Sequence, residues 1–192
     1  MSIAADRDET LVGRLNDLAL LAMMLVIAAI LTAAMVLQYA FGELPCPLCL
    51  LQRAAMFGVC FGIILHFRYG ASARHTGISL LFALMLLIVS VRQTLLDIYP
   101  RPGHSYIGTA VFGLHMPVWS VLIALAILLA FAVKLTLLGS QPQTKPATGA
   151  LGGLAKLVSL YVIALCAINF VSVIMQCGLG ECHTFGYKLL GG

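Results

Sequence analysis

Charge is scarce in this chain. Asp, Glu, Lys and Arg make up 9% of its 192 residues, where a soluble domain carries about 25%. Hydrophobic residues supply 61%, which leaves too little charge to keep a globular domain in water. A soluble enzyme is excluded on that ground, and no nucleic-acid partner is expected. A basic N-terminal region is missing as well. Asp6, Asp8, Glu9 and Asp17 crowd the place where a cleavable signal peptide would be basic, and the apolar run behind them is too long for one. Metal-ligand spacing is absent among His104, His115 and His183, so no resident metal is expected.

What is present is apolar sequence in lengths near the roughly 20 residues that cross a bilayer. Five such runs can be read: Leu18 to Phe41, Leu50 to Phe67, Ile78 to Leu96, Trp119 to Val133 with a few flanking residues, and Leu157 to Met175. The fold class expected is all-α, a polytopic membrane helix bundle forming one domain over residues 1–192. Its parts are a four-helix core over 1–138, a Pro-, Gly-, Thr- and Gln-rich cytoplasmic linker over 139–153, and a fifth helix with its tail over 154–192. Lys and Arg collect on the cytoplasmic side of short loops because they resist translocation. With the N-terminus inside, Arg7, Arg14, Arg68, Arg74, Lys134, Lys145 and Lys156 are inner, Arg53, Arg101 and Lys188 are outer, and Arg92 lies in a span, which accounts for all 11 basic residues. That asymmetry sets a cytoplasmic N-terminus and, after five crossings, an outer C-terminus.

Cysteine then carries the chemistry. Cys46-Pro47-Leu48-Cys49 is a dithiol pair of the kind used in disulfide exchange. Cys177 and Cys182 form a second pair, and the topology puts both on the outer face, where an oxidising compartment such as a bacterial periplasm lets disulfides persist. Cys60 and Cys166 fall mid-helix and read as small apolar packing residues.

The first pair has local chemistry that favours reactivity. Pro47 suits the first turn of a helix, which makes Cys46 an N-cap and places Cys49 in the opening turn. The partial positive charge of a helix N-terminus stabilises a thiolate. Arg53 follows one turn after Cys49, either to balance a thiolate or hold an oxyanion, or simply to snorkel to the interface.

Cys46-Pro-Leu-Cys49-Leu-Leu-Gln-Arg53 after a first membrane helix resembles the signature of the disulfide bond formation protein B (DsbB) family. Phe112-Gly-Leu-His-Met-Pro-Val-Trp119 is similar to that family's approach to its fourth helix, and Leu95-Leu-Asp-Ile-Tyr99-Pro100 to the end of its third. The resemblance implies a quinone reductase of the bacterial inner membrane that reoxidises a periplasmic DsbA-type thiol oxidase, with ubiquinone or menaquinone as acceptor. It makes Cys46, Cys49, Cys177 and Cys182 catalytic, Cys49 the quinone-facing thiol, and Arg53 a quinone contact. Gln93 falls where some members place a quinone-proximal histidine; an amide can donate to a quinone oxygen but cannot carry a proton as imidazolium. One departure stands out. Typical members have four helices and carry the second pair in the loop before the fourth, whereas Tyr99 to Val118 contains no cysteine here and the pair follows an added fifth helix.

Cys177 and Cys182 enclose four residues, Gly178 and Gly180 among them. So small a ring adds little loop-entropy stabilisation, which favours an exchangeable bond over a structural clip. Energetics gives the acceptor its place. A DsbA-type oxidase sits near about −120 mV, and a structural disulfide below about −300 mV could not reoxidise it. Among other polar residues, Arg92 is either an intramembrane functional charge or a snorkelling one, Asp97 and Arg101 form a local ion pair, and His66 and His75 are solvated at the inner boundary. Two rival readings remain at this stage: a metal site of four outer thiolates, and a bundle with static disulfides, which leaves Arg53 beside Cys49 without explanation.

Overall fold

The computed structural model describes residues 2–98, 112–139 and 149–178, with side chains from residue 11 onward. Five helices follow one another: α1 (Ser2–Ala40), α2 (Pro47–Tyr69), α3 (Ala73–Ile98), α4 (Met116–Leu138) and α5 (Gly149–Cys177). All five are long and apolar enough to span a membrane, α1 through its Leu11–Ala40 portion. No strand occurs among the described residues.

Each helix outruns the apolar segment that marks it in the sequence, because helix ends are set by caps and not by hydropathy. Pro47 opens α2 behind an extended Cys46, and Gly70 and Gly139, both at positive φ, close α2 and α4 while their N–H groups bond back into the last turn. Helix α5 begins at Gly149, so the last five residues of the expected linker, 149–153, are its first turn; residues 140–148 lie outside the described residues.

Helix α2 is the central element. It packs on α1, α3 and α5, while α3 carries α4 and α5 also lies along α1. The core between them is apolar: Met24, Ile27 and Leu31 of α1, Val59 and Ile63 of α2, Leu86 of α3, Phe131 of α4 and Val162 of α5. Cys60 belongs to this core, as expected, but Cys166 is exposed on α5 and faces outward. Lipid is as apolar as a protein core, so a neutral thiol is equally at home there.

Without a hydrophobic drive between helices in lipid, close packing has to supply the affinity. Gly58 and Gly62, one turn apart on α2, face α3. A Cβ on Gly58 would overlap the Phe82 ring, and one on Gly62 would meet Ser79 Oγ and the backbone at His75 and Ser79. Ser79 Oγ uses the approach to donate to Val59 O at 3.0 Å. Helix α5 is fastened to α1 by the Tyr161 hydroxyl, which donates to Thr32 Oγ1 at 2.7 Å because the Thr32 proton is already given to Ala28 O.

At the end of the bundle remote from the cysteines, His66 corrects the sequence reading. It is buried, with Nε2 2.8 Å from Asp17 Oδ1 of α1. The apolar surroundings make a partnerless imidazole costly, and the carboxylate one helix away supplies the partner that sequence distance conceals. Lys134 of α4 reaches Thr76 of α3 at 3.1 Å at the same end.

The α2–α3 seam predicts an order of stabilities. Gly62→Ala meets backbone that cannot move aside and should lose about 1–3 kcal/mol. Gly58→Ala, which only needs the Phe82 ring to swing, should lose less, and Gly77→Ala, with nothing within 4 Å, should lose none. Denaturant unfolding in micelles, followed by circular dichroism, checks the ranking; equal stability of all three contradicts it.

Candidate functional site

Five helix ends meet at the cysteine end of the bundle, and each brings a polar side chain into otherwise apolar surroundings. Helix α2 contributes the disulfide. Cys46 is its N-cap in extended conformation (φ −70°, ψ 160°), Pro47 stands in the first turn, and the Cys49 N–H donates to Cys46 Sγ at 3.0 Å. Cys46 and Cys49 are disulfide-bonded, their Cα atoms 5.0 Å apart, within the range the bond requires. The N-cap expected from Pro47 is therefore present, and its consequence follows. If the bond is reduced, the sulfur at position 46 already faces a helix N–H, which favours a thiolate.

Gln93 of α3 lies against this disulfide. Its Nε2 is 3.4 Å from Cys46 Sγ and 3.5 Å from Cys49 Sγ. Its Oε1 accepts from Gln52 Nε2 at 2.9 Å, and Gln52 Oε1 accepts from Ser120 Oγ of α4 at 3.3 Å. A disulfide sulfur accepts and has no proton to donate, which fixes the end of each amide that faces each neighbour. The Gln93 NH2 group is thereby aimed at the sulfurs, so Gln93 touches the redox bond itself.

Arg53 points elsewhere. It is buried, at 8% exposure, and its guanidinium reaches across to α1 and α5. Nη1 donates to Gln38 Oε1 at 2.6 Å and to Asn169 Oδ1 at 3.4 Å, and Nη2 donates to Ala34 O at 3.1 Å. Gln38 in turn donates from Nε2 to Ser172 Oγ at 2.7 Å. A snorkelling arginine would extend into water; this one is bonded inward. Arg92, by contrast, is exposed on α3.

The second cysteine pair is described in part. Cys177 ends α5, is 5% exposed and is disulfide-bonded; Cys182 lies outside the described residues, as do Tyr99, Pro100 and Arg101 of the loop before α4. One contact ties the two pairs together. Gln176, 1% exposed, donates from Nε2 to Pro45 O at 2.9 Å. Gln176 immediately precedes Cys177, and Pro45 immediately precedes Cys46.

Sequence reading found the cysteines, Arg53 and Gln93 but passed over Gln38, Gln52, Ser120, Asn169, Ser172 and Gln176. A signal for half of them was available: Asn169, Ser172 and Gln176 recur at spacings of three and four in an apolar run, which puts them on one helix face. Their partners, Arg53 on α2, Gln38 on α1 and Pro45 in the loop between those helices, are 116 to 134 residues away in sequence and share no such periodicity.

An amide on a disulfide and a bonded guanidinium a turn away place hydrogen-bond donors around a sulfur pair of the kind used in thiol–disulfide exchange. Comparison with known proteins agrees in kind. Residues 16–105 match the model of the family "Disulfide bond formation protein DsbB", a stretch that holds the Cys46–Cys49 bond, Gln52, Arg53 and Gln93. No curated protein and no solved structure matches the chain. The match over residues 16–105, just under half of the chain, supports membership of the DsbB family.

Proposed function

We propose that this protein reoxidises a periplasmic DsbA-type thiol oxidase and passes the electrons to a membrane quinone, ubiquinone or menaquinone. The partner's dithiol reduces the Cys177–Cys182 disulfide by thiol exchange and leaves as a disulfide. The resulting dithiol reduces Cys46–Cys49 in the same way. Cys46 and Cys49, now thiols, give up two electrons and two protons as their disulfide re-forms. The quinone supplies a two-electron acceptor of high potential, which the potential of the partner demands.

The contact between Gln176 and Pro45 carries this reading. A relay needs both pairs at one end of the bundle and within reach of each other, and that hydrogen bond joins the residues that precede Cys46 and Cys177. The residues at the site suit the acceptor. The Gln93 amide can donate to a quinone oxygen, as can the Arg53 fork, while Cys49 sits beside the first. The disulfides at Cys46–Cys49 and at Cys177 weigh against the four-thiolate metal site, since they occupy sulfurs that such a site needs.

Assay of quinone reduction by the purified protein, with a reduced DsbA-type oxidase as donor, tests the proposal. Cys49→Ala should abolish quinone reduction yet leave Cys177 and Cys182 able to exchange with partner thiols. Arg53→His should raise the apparent KM for quinone, by about tenfold or more, through loss of the planar cationic fork. Persistent activity of Cys49→Ala would remove the first pair from its terminal position, and an unchanged KM would remove Arg53 from the acceptor site.

Orientation is proposed from the basic residues: N-terminus cytoplasmic, C-terminus periplasmic, in a bacterial inner membrane. A reporter active only outside the cytoplasm should be active when fused after Gly192 and silent when inserted at Gln143. The opposite pattern would contradict the orientation, and activity at neither or both positions would contradict the five-crossing topology.

A further inference from the structure

Helix α5 is apolar on most of its surface, with Ile168, Phe170 and Val171 exposed toward lipid. Its other face is polar at Asn169, Ser172 and Gln176, all buried. Polar side chains inside a membrane are costly unless each has a partner across the interface. Here the partners belong to the redox end: Arg53 for Asn169, Gln38 for Ser172, and Pro45 O for Gln176. The face is thus matched residue by residue to the groups around the first cysteine pair.

We propose that Asn169, together with Ser172 acting through Gln38, positions the Arg53 guanidinium, so that α5 is a wall of the acceptor site as well as the carrier of the second cysteine pair. The inference rests on the quinone reading above. Arginine has a long side chain with many rotamers to lose on fixing, and near a helix end its default is to extend toward the interface. Bonds to Gln38, Asn169 and Ala34 O, with Met35 Sδ at 3.7 Å, hold it inward instead. The shortest runs from Nη1 to Gln38 Oε1 at 2.6 Å. An amide can present oxygen or NH2 to a neighbour; Arg53, which only donates, takes the oxygen, and Ser172 holds the amide in that orientation by accepting from Gln38 Nε2 at 2.7 Å. Asn169 Oδ1 adds a second acceptor to Nη1 from the α5 side. Arg53 lies one turn beyond Cys49 on α2, so the position of its fork relative to that thiol depends on α1 and α5 together.

The test is steady-state kinetics of the full-length protein with a water-soluble short-chain ubiquinone analogue as acceptor and a reduced DsbA-type oxidase as donor. Asn169→Leu removes the acceptor at nearly constant shape, and Asn169→Asp keeps it. Asn169→Leu should raise the apparent KM for the quinone by about tenfold, the effect of one lost bond to a charged group, with kcat within about twofold. Asn169→Asp should stay within about threefold of the wild type. Ser172→Ala, a milder change that guards against misfolding of the leucine variant, should raise KM by about threefold. Disulfide exchange of the Cys177 pair with the oxidase should be unchanged in all three. The inference is overturned by an unchanged KM in Asn169→Leu and Ser172→Ala, by loss confined to kcat, or by Asn169→Asp being as impaired as Asn169→Leu. A wild-type protein that exchanges disulfides but reduces no quinone would overturn the functional reading, and this inference with it.

Discussion

A guanidinium carried into a bilayer must find its hydrogen bonds inside the protein, because hydrocarbon offers none. An arginine at the middle of a membrane helix costs about 2.5–3.5 kcal/mol on insertion scales, an upper bound for Arg53 in the second turn of α2, and a hydrogen bond to a charged group returns about 1.5–3 kcal/mol. Arg53 makes such bonds to Gln38, Asn169 and Ala34 O, enough to offset the cost. The rest of the cysteine end follows from that requirement. Helix α1 must bring Gln38, α5 must lie against α1 and α2 to bring Asn169 and Ser172, and the end of α5 then arrives where Gln176 can bond Pro45.

The disulfide obeys a second, independent set of constraints. Pro47 starts α2, the N-cap position puts Cys46 in reach of the Cys49 N–H, and α3 with α4 supply the amide chain that ends on both sulfurs. Helix α2 therefore presents two chemistries from its first two turns, sulfur toward α3 and cation toward α1 and α5. The proposed electron path uses that division, since the sulfurs stay open to a tail thiol while Arg53 is held at the proposed acceptor site from the α1 and α5 side.

Much of this was legible in the chain. Five apolar runs give five helices, and Cys46-Pro-Leu-Cys49 with Arg53 locates the site, because hydropathy and helix caps are local properties. The resemblance to the DsbB family agrees with the match over residues 16–105 for the motifs at Cys46–Arg53 and Leu95–Pro100, while the third, Phe112–Trp119, lies beyond that match. What could not be read are pairings between distant residues. His66 looks like a boundary histidine until Asp17 is found beside it, and Gln38, a polar residue late in an apolar run, has no meaning without Arg53 and Ser172. The small residues Gly58 and Gly62 were legible in principle, since their spacing is that of a close helix seam.

The claim on which the account turns is that the two cysteine pairs meet at one end of the bundle. Site-directed trapping tests it most directly. In Cys49→Ala/Cys177→Ala, the thiols left of the two pairs are Cys46 and Cys182; in Cys49→Ala/Cys182→Ala they are Cys46 and Cys177. After mild oxidation of the membrane-embedded variants, peptide mass spectrometry identifies any bond formed. The expected result is an intramolecular disulfide between Cys46 and a tail cysteine, with Cys182 as the favoured partner. Absence of that bond in both variants, with Cys46 still reactive toward a small alkylating agent, would contradict the relay and leave Cys46–Cys49 to act alone.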